Sequence, residues 1–231
     1  MKLKKETTFL FFFIIFKICI CQNRISSKDG FISPDIESFE GQKPEANWIW
    51  DSGDPNPKNY YLHVRKSFKL KNSIKEAKAY VSAFSFAELY INGEYIDRVP
   101  TNPDPEYQTY EEIDISPYLK LGVNTIAALV HNVGEGLHHR MNGRGGFFFQ
   151  SKIIDSEEKI IKLKTDKSWL VAKAKAWDSK TDHRQIDHTI GRQEKYDARL
   201  AYDGWELNHF NDSNWENATE IGVPPIDPWN K

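Results

Sequence analysis

Short runs of alternating apolar and polar residues recur along this chain, and no long segment has a helical period. The turn Asn92-Gly93 separates two of these runs, and both of its residues tolerate positive φ, which is a strong hairpin signal. Many short strands at regular spacing predict an all-β, antiparallel sandwich, with one helical turn at Ser116–Lys120. The predicted strands are Tyr60–Leu70, Ala77–Phe84, Ala87–Ile91, Glu94–Val99, Gln108–Ile115, Asn124–His131, Gly146–Ile154, Lys159–Leu163 and Ser168–Ala176.

Residues 1–21 have the pattern of a cleavable signal peptide. A basic start precedes the apolar run Phe9–Phe16, and Cys19 and Cys21 occupy the −3 and −1 positions. The apolar run is shorter than the roughly 20 residues of a membrane span. We therefore expect export to the periplasm or secretion from the cell, and the bulky Ile20 disfavours a lipid anchor. Cleavage would remove both cysteines of the chain, and with them any disulfide or cysteine metal site.

The remaining chain divides by composition into three parts. Residues 22–46 are polar and predict a flexible linker, residues 47–222 hold the strand patterns of the sandwich, and residues 223–231 predict a C-terminal tail. The formal net charge of −2 offers no basic field for nucleic acid.

Several motifs in order along the chain carry a family resemblance. Arg192-Gln-Glu-Lys-Tyr-Asp-Ala-Arg199, Gly204-Trp205 and Asp212-Ser-Asn-Trp215 resemble the close of the N-terminal β-sandwich region of bacterial α-L-rhamnosidases, glycoside hydrolase family 78. Tyr90-Ile-Asn-Gly93 and Leu121-Gly-Val-Asn124 are similar to the jelly rolls appended to such enzymes. The resemblance implies a galactose-binding-like jelly roll. It also implies that the catalytic residues lie on an (α/α)6 barrel, which the 16 residues after Trp215 are too few to form.

Two polar loops, Thr101–Tyr107 and Asn132–Gly146, and one tryptophan are candidate sugar-binding elements. Sugar sites combine aromatic faces with fixed polar groups. Glycines in the second loop would let its backbone approach a ligand closely. The alternatives are solvated loops and a tryptophan that caps the core. The candidate residues are Asn102, Asp104, Asn132, His138, His139, Arg140, Arg144 and Trp177.

The sequence predicts no cofactor with a clear motif, and calcium is the ion that its loops favour over zinc. Asn102, Asp104, Asn132 and Glu135 carry hard oxygen donors, although no contiguous calcium-loop motif is present and simple loop solvation is the alternative.

Glu194 and Asp197 lie between Arg192 and Arg199. Neighbouring arginines lower carboxyl pKa values, so this run predicts a charge-assisted network that anchors an irregular segment and not a catalytic pair. Five tryptophans are assigned to the core, namely Trp48, Trp50, Trp169, Trp205 and Trp215.

The sequence thus predicts a noncatalytic, exported carbohydrate-binding module that resembles the front of an α-L-rhamnosidase. The expected partner is a rhamnose-containing polysaccharide of the rhamnogalacturonan or ulvan type. Two alternatives stay open: a truncated rhamnosidase remnant without a ligand, and a subunit that completes a separately encoded glycosidase.

Overall fold

The computed structural model describes residues 43–100, 104, 108–136, 142–182 and 191–229. The predicted signal peptide and nearly all of the predicted linker lie outside these residues, so both stay predictions.

The described residues form twelve strands and two short 3-10 turns, Ser116–Tyr118 and Ala198–Leu200. The strands are β1 (Trp48–Trp50), β2 (Tyr60–Leu70), β3 (Ile74–Phe84), β4 (Phe86–Ile91), β5 (Glu94–Val99), β6 (Glu111–Asp114), β7 (Gly122–Asn132), β8 (Gly146–Asp155), β9 (Ile160–Lys164), β10 (Leu170–Lys173), β11 (Glu216–Asn217) and β12 (Thr219–Gly222).

These strands pair into two antiparallel sheets, which confirms the predicted all-β sandwich. In the first sheet the order is β12-β1-β8-β3-β6, with β9 added to β8; in the second it is β11-β10-β2-β7-β4-β5. Strands β2 and β5 have the predicted bounds. Strand β10 is shorter than predicted, because Trp169 N donates to Asp166 O and Trp177 N donates to Ala174 O, and these turns close both of its ends.

The side chains of β2 show why the two sheets stay together. Leu62, Val64 and Leu70 point into the space between the sheets and are almost fully buried. Burial of one such side chain stabilises the fold by about 1.5–3 kcal/mol. The alternate residues of β2 point to the opposite face of the sheet, as the pleat requires, and yet Tyr61 and Arg65 are also buried there.

The outer face of the second sheet is buried because the chain after β10 folds back over it. Trp205 and Trp215 pack against His63, with ring centroids 4.2 and 5.7 Å away. Arg65 Nη1 donates to the carbonyl oxygens of Trp205 and Leu207, at 2.6 and 3.0 Å. Trp215 is buried, as predicted. Trp205 is only half-buried, so its assignment to the core is corrected: it covers the sheet from outside.

A smaller aromatic cluster lies on the outer face of the first sheet. The rings of Trp48 and Trp229 stack with centroids 4.0 Å apart and an interplanar angle of 16°, and Phe148 packs beside them. Trp229 is 1% exposed. The segment predicted as a C-terminal tail therefore contributes one of the most buried side chains of the molecule.

Many strand termini lie at one end of the sandwich, and the candidate binding residues follow or precede them. Strands β3, β5, β7 and β10 end there, and β2, β4 and β8 begin there, because the antiparallel registers align these termini. The described residues of both loops singled out from the sequence, and Trp177 after β10, consequently lie toward the same end. Within the part of the chain that is described, no helix has the length and hydropathy needed to cross a membrane.

Candidate carbohydrate-binding site

The residues predicted from the two loops are only partly within the described structure. Asn102, His138, His139 and Arg140 lie outside the described residues. Asp104 and Arg144 are half-buried at the loop end of the sandwich.

Asn132 is fully buried and is held by the protein itself. Its Nδ2 donates to Pro57 O at 3.0 Å, so the side chain fastens the loop before β2 to the end of β7. The sequence placed this residue among exposed ligands, whereas the structure gives it an internal contact.

Glu135 forms an ion pair with Arg192, whose Nε donates to it. Arg192 Nη1 also donates to Thr181 O at 2.6 Å. This pair ties the loop after β7 to the segment that begins at residue 191. Within the described ranges, no group of three or more His, Cys, Asp or Glu side chains is arranged to hold a metal ion. Because Asn102 lies outside those ranges, the calcium site stays a prediction.

Trp177 lies at the top of an aromatic column. Its ring stacks on Tyr61, with centroids 4.6 Å apart and planes 12° from parallel, and Tyr61 stacks in turn on His131 at 3.9 Å and 8°. The ring of Phe86 meets His131 edge-on at 4.9 Å. Burial raises the pKa of the Tyr61 phenol, which therefore stays neutral inside the column. The packing of this column fixes the orientation of the Trp177 indole.

Two irregular segments, residues 176–178 and residues 195–197, pair with each other at Trp177 and form a pocket. Asp178 N donates to Lys195 O at 2.9 Å, Asp197 N donates to Ala176 O at 2.8 Å, and Trp177 bridges to Tyr196 between them. The Tyr196 ring meets Trp177 at 62°, with centroids 5.0 Å apart, and is 52% exposed. These segments line an open pocket of about 810 Å³.

Charged side chains line this pocket beside its two aromatic rings. The described lining residues include two carboxylates, Asp178 and Asp197, and five cations. Backbone and side-chain hydrogen bonds from Lys180 and Lys195 hold the pKa of Asp178 below its usual range, and bonds from Arg199 do the same for Asp197. Both carboxylates are therefore ionised near neutral pH. The cations are Lys173, Lys175, Lys180, Lys195 and Arg199.

Arg192, Asp197 and Arg199 form part of the predicted charge-assisted network, whereas Glu194 is exposed and none of the hydrogen bonds or ion pairs among the described residues involves it. Arg199 binds Asp197 through two side-chain bonds, from Nε at 2.9 Å and from Nη2 at 2.7 Å, and Arg192 pairs with Glu135. The lowered pKa of Asp197 is the direction that its arginine neighbour requires. Arg192 thus ties the chain after residue 190 to the loop after β7, whereas the Arg199–Asp197 pair is internal to the Arg192–Arg199 run.

Sequence reasoning found Trp177 but missed Tyr196, Lys175, Lys180 and Lys195. Tyr196 lies inside the quoted family motif, where the sequence predicts an anchoring segment. No sequence spacing indicates that residue 196 meets residue 177, because the pairing joins two irregular segments. An exposed aromatic flanked by Lys195 is the one local signal that could have identified it.

Comparison with known proteins accounts for both the sandwich and the segment that covers it. The sequence profile of the alpha-L-rhamnosidase N-terminal domain matches residues 72–227. The chain belongs to this domain family. The match includes β3 to β12 and the whole 191–215 segment, so the covering segment is part of the rhamnosidase N-terminal domain.

Individual rhamnosidases agree with this assignment. An alpha-L-rhamnosidase of Formosa agariphila is 29% identical over 164 residues, which are 67% of this chain and 17% of that protein. The crystal structure of a GH78 family rhamnosidase of Bacillus sp. GL1 superimposes with a TM-score of 0.73 and 30% identity, covering 82% of this chain and 19% of that one. An alpha-L-rhamnosidase from Dictyoglumus thermophilum gives a TM-score of 0.62 at 25% identity, covering 83% and 22%. The chain therefore spans about a fifth of the length of the rhamnosidases that it resembles.

Proposed function

We propose that this rhamnosidase N-terminal domain is a noncatalytic, exported module that binds rhamnose-containing polysaccharide of the rhamnogalacturonan or ulvan type. The observation that carries the proposal is the exposed ring of Tyr196 beside Trp177, in an open pocket lined with hydrogen-bond donors.

Aromatic rings of this kind suit the apolar faces of sugars. A pyranose ring presents C–H groups on its faces and hydroxyls around its edge, so a planar side chain and surrounding polar groups recognise it together. Tyr196 offers the exposed face, and Trp177 supports it from a column that three aromatic neighbours hold in place. A site that is already ordered before binding loses little conformational entropy when the sugar arrives.

The position of the pocket favours a polymer over a single sugar. The Glu135–Arg192 pair links the pocket's second segment to the loop after β7, at the end of the sandwich where the predicted loops lie. A polysaccharide that crosses the pocket would continue toward these loops, where calcium at Asn102 and Asp104 is a further proposal. The other two predicted calcium ligands, Asn132 and Glu135, are already bound to Pro57 O and Arg192.

Affinity electrophoresis through gels that contain rhamnogalacturonan, ulvan or rhamnose-free xylan tests the proposal. We expect the two rhamnose-containing polymers to retard the wild-type chain, and Tyr196→Ala to abolish the retardation. Tyr95→Ala is the matched control, because Tyr95 is 54% exposed but lies on β5, away from the pocket. Equal mobility of folded wild-type protein in all gels would contradict sugar binding and favour a remnant without a ligand.

A second proposal is that the domain works against a rhamnosidase catalytic domain, within a longer protein or as a separate subunit. Leu121 and Val123 favour it, because these two large apolar side chains are 66% and 48% exposed and lie two residues apart in the sequence. A stable interface buries at least about 1,000 Å² in total. Leu121→Ser with Val123→Ser should therefore weaken association with a rhamnosidase catalytic domain in sedimentation experiments while leaving polysaccharide retardation unchanged.

A further inference from the structure

We propose that the Trp177–Tyr196 pocket recognises an anionic substituent of the bound sugar, either a uronate carboxylate or a sulfate ester. This inference rests on the proposed sugar-binding function and adds the charge of the ligand to it.

The charge of the pocket differs in sign from that of the whole chain. Five cations and two carboxylates among the described lining residues leave a net charge of +3. The complete chain carries −2. A concentration of one sign of charge in a concave surface raises the local concentration of ligands of the opposite sign.

The two carboxylates of the pocket are already used by the protein. Asp178 accepts hydrogen bonds from Lys195 Nζ and from Lys180 N, both at 2.9 Å. Asp197 accepts both side-chain bonds of Arg199. Two of the five cations are thereby neutralised, so the surplus charge resides on the other three.

The three remaining cations are lysines around the aromatic centre. Lys173 Nζ lies over the Tyr60 ring, 5.2 Å from its centroid. Lys175 and Lys180 are exposed, and no described carboxylate lies within ion-pair distance of either ammonium group, although Asp178 attracts Lys180 from farther away. An ammonium group donates in three directions on a flexible stem, so it can follow a carboxylate or a tetrahedral sulfate without the planar match that arginine needs.

The aromatic rings and the lysines of the pocket contact different parts of the bound sugar. The sugar ring stacks on Tyr196, and its anionic substituent reaches Lys175 and Lys180 at the rim. Exposed charge pairs are worth about 0.2–1 kcal/mol each and weaken with salt, because the screening length is about 8 Å at physiological ionic strength. Recognition of the anion should therefore increase the specificity of binding. Stacking on Tyr196 should supply the part of the affinity that does not depend on the salt concentration.

Calorimetric titration with three oligosaccharides tests the inference: one of neutral rhamnose, one alternating rhamnose with galacturonate, and one of sulfated rhamnose. Lys175→Gln with Lys180→Gln should weaken binding of an anionic oligosaccharide by about tenfold and leave the neutral one unchanged. Lys69→Gln with Lys71→Gln is the matched control, since both lysines are exposed and neither lines the pocket. Which anionic oligosaccharide loses affinity distinguishes carboxylate from sulfate.

Three results would overturn the inference. Wild-type protein could bind neutral and anionic oligosaccharides equally, the control variant could lose as much affinity as the pocket variant, or rhamnose-free dextran sulfate could bind as tightly as the anionic oligosaccharides. Binding of the neutral oligosaccharide alone would refute the anionic preference and leave the proposed function standing. Absence of binding to every rhamnose oligosaccharide would instead refute the function itself.

Discussion

Arg65 Nε lies 2.8 Å from Asp212 Oδ2, and this ion pair joins two residues 147 positions apart in the sequence. The Arg65 side chain is 1% exposed, and its Nη1 also holds two carbonyl oxygens of the covering segment. The pair therefore fastens the Asp-Ser-x-Trp motif to the outer face of β2, which gives that family motif a physical role.

Arg65→Leu should destabilise the domain by about 3–5 kcal/mol, because it leaves Asp212 and two carbonyl oxygens without their donor. Urea unfolding followed by tryptophan fluorescence measures the loss. Arg199→Leu is the matched control, since Arg199 is also paired with a carboxylate but is 88% exposed, and it should cost less than about 1 kcal/mol. Equal losses in the two variants would contradict the anchoring role of Arg65.

Trp229→Ala should destabilise the fold by about 3–5 kcal/mol, the range typical of a large aromatic removed from a packed site. The substitution removes the ring that stacks on Trp48. Val223→Ala, in the same segment at 41% exposure, should stay within about 0.5 kcal/mol of wild type. A Trp229→Ala protein with unchanged thermal stability would show that the segment is a dispensable tail.

The stability of the domain should fall with acid because of His63. Burial among Trp205, Trp215 and Tyr202 lowers the pKa of its imidazole from the ordinary 6.5 to about 3. Below pH 6.5 the His63 imidazole binds a proton in the unfolded chain but not in the folded chain. The contribution of neutral His63 to the free energy of unfolding is therefore complete only above pH 6.5. It is lost at up to about 1.4 kcal/mol per pH unit as the pH falls toward 3.

His63→Phe should flatten that part of the pH profile, measured as the free energy of unfolding between pH 7 and pH 4. His209→Gln is the control, because His209 is exposed, and its profile should follow wild type. A His63→Phe profile as steep as that of wild type would assign the acid sensitivity to other groups.

Gly134→Ala should destabilise the loop that carries Glu135 by at least about 2 kcal/mol. Gly134 has a φ of +63°, and a Cβ at this position would lie 2.2 Å from Pro57 O. Gly136→Ala is a close control two residues away, where a Cβ meets nothing within 4 Å. Similar melting temperatures for the two variants would contradict the close approach of this loop to Pro57.

The sequence predicts most of the sandwich because strand formation depends on local pattern. The strand Tyr60–Leu70 and the hairpin turn Asn92-Gly93 are each signalled by a few neighbouring residues, and the structure confirms both. The outer-face packing depends instead on contacts across long sequence distances. Arg65 is one of two adjacent basic residues in a strand, and nothing local distinguishes it from a solvated residue until Asp212 is placed beside it.

The candidate site was predicted less completely for the same reason. Trp177 is visible as an aromatic in a charged segment, but its partner Tyr196 is brought to it by an isolated bridge between irregular segments. Asn132 was misjudged because an asparagine at a strand end can face solvent or the protein, and only its bond to Pro57 O decides which.

The most direct test of the account is an NMR titration that follows the indole N–H signals of the seven tryptophans as a rhamnose-containing oligosaccharide is added. The Trp177 signal, assigned by its loss in Trp177→Phe, should shift progressively and saturate, while the signals of the buried Trp169 and Trp229 should not move. A saturating titration in which Trp177 does not move would show that the sugar binds elsewhere and would contradict the Trp177–Tyr196 pocket as the binding site.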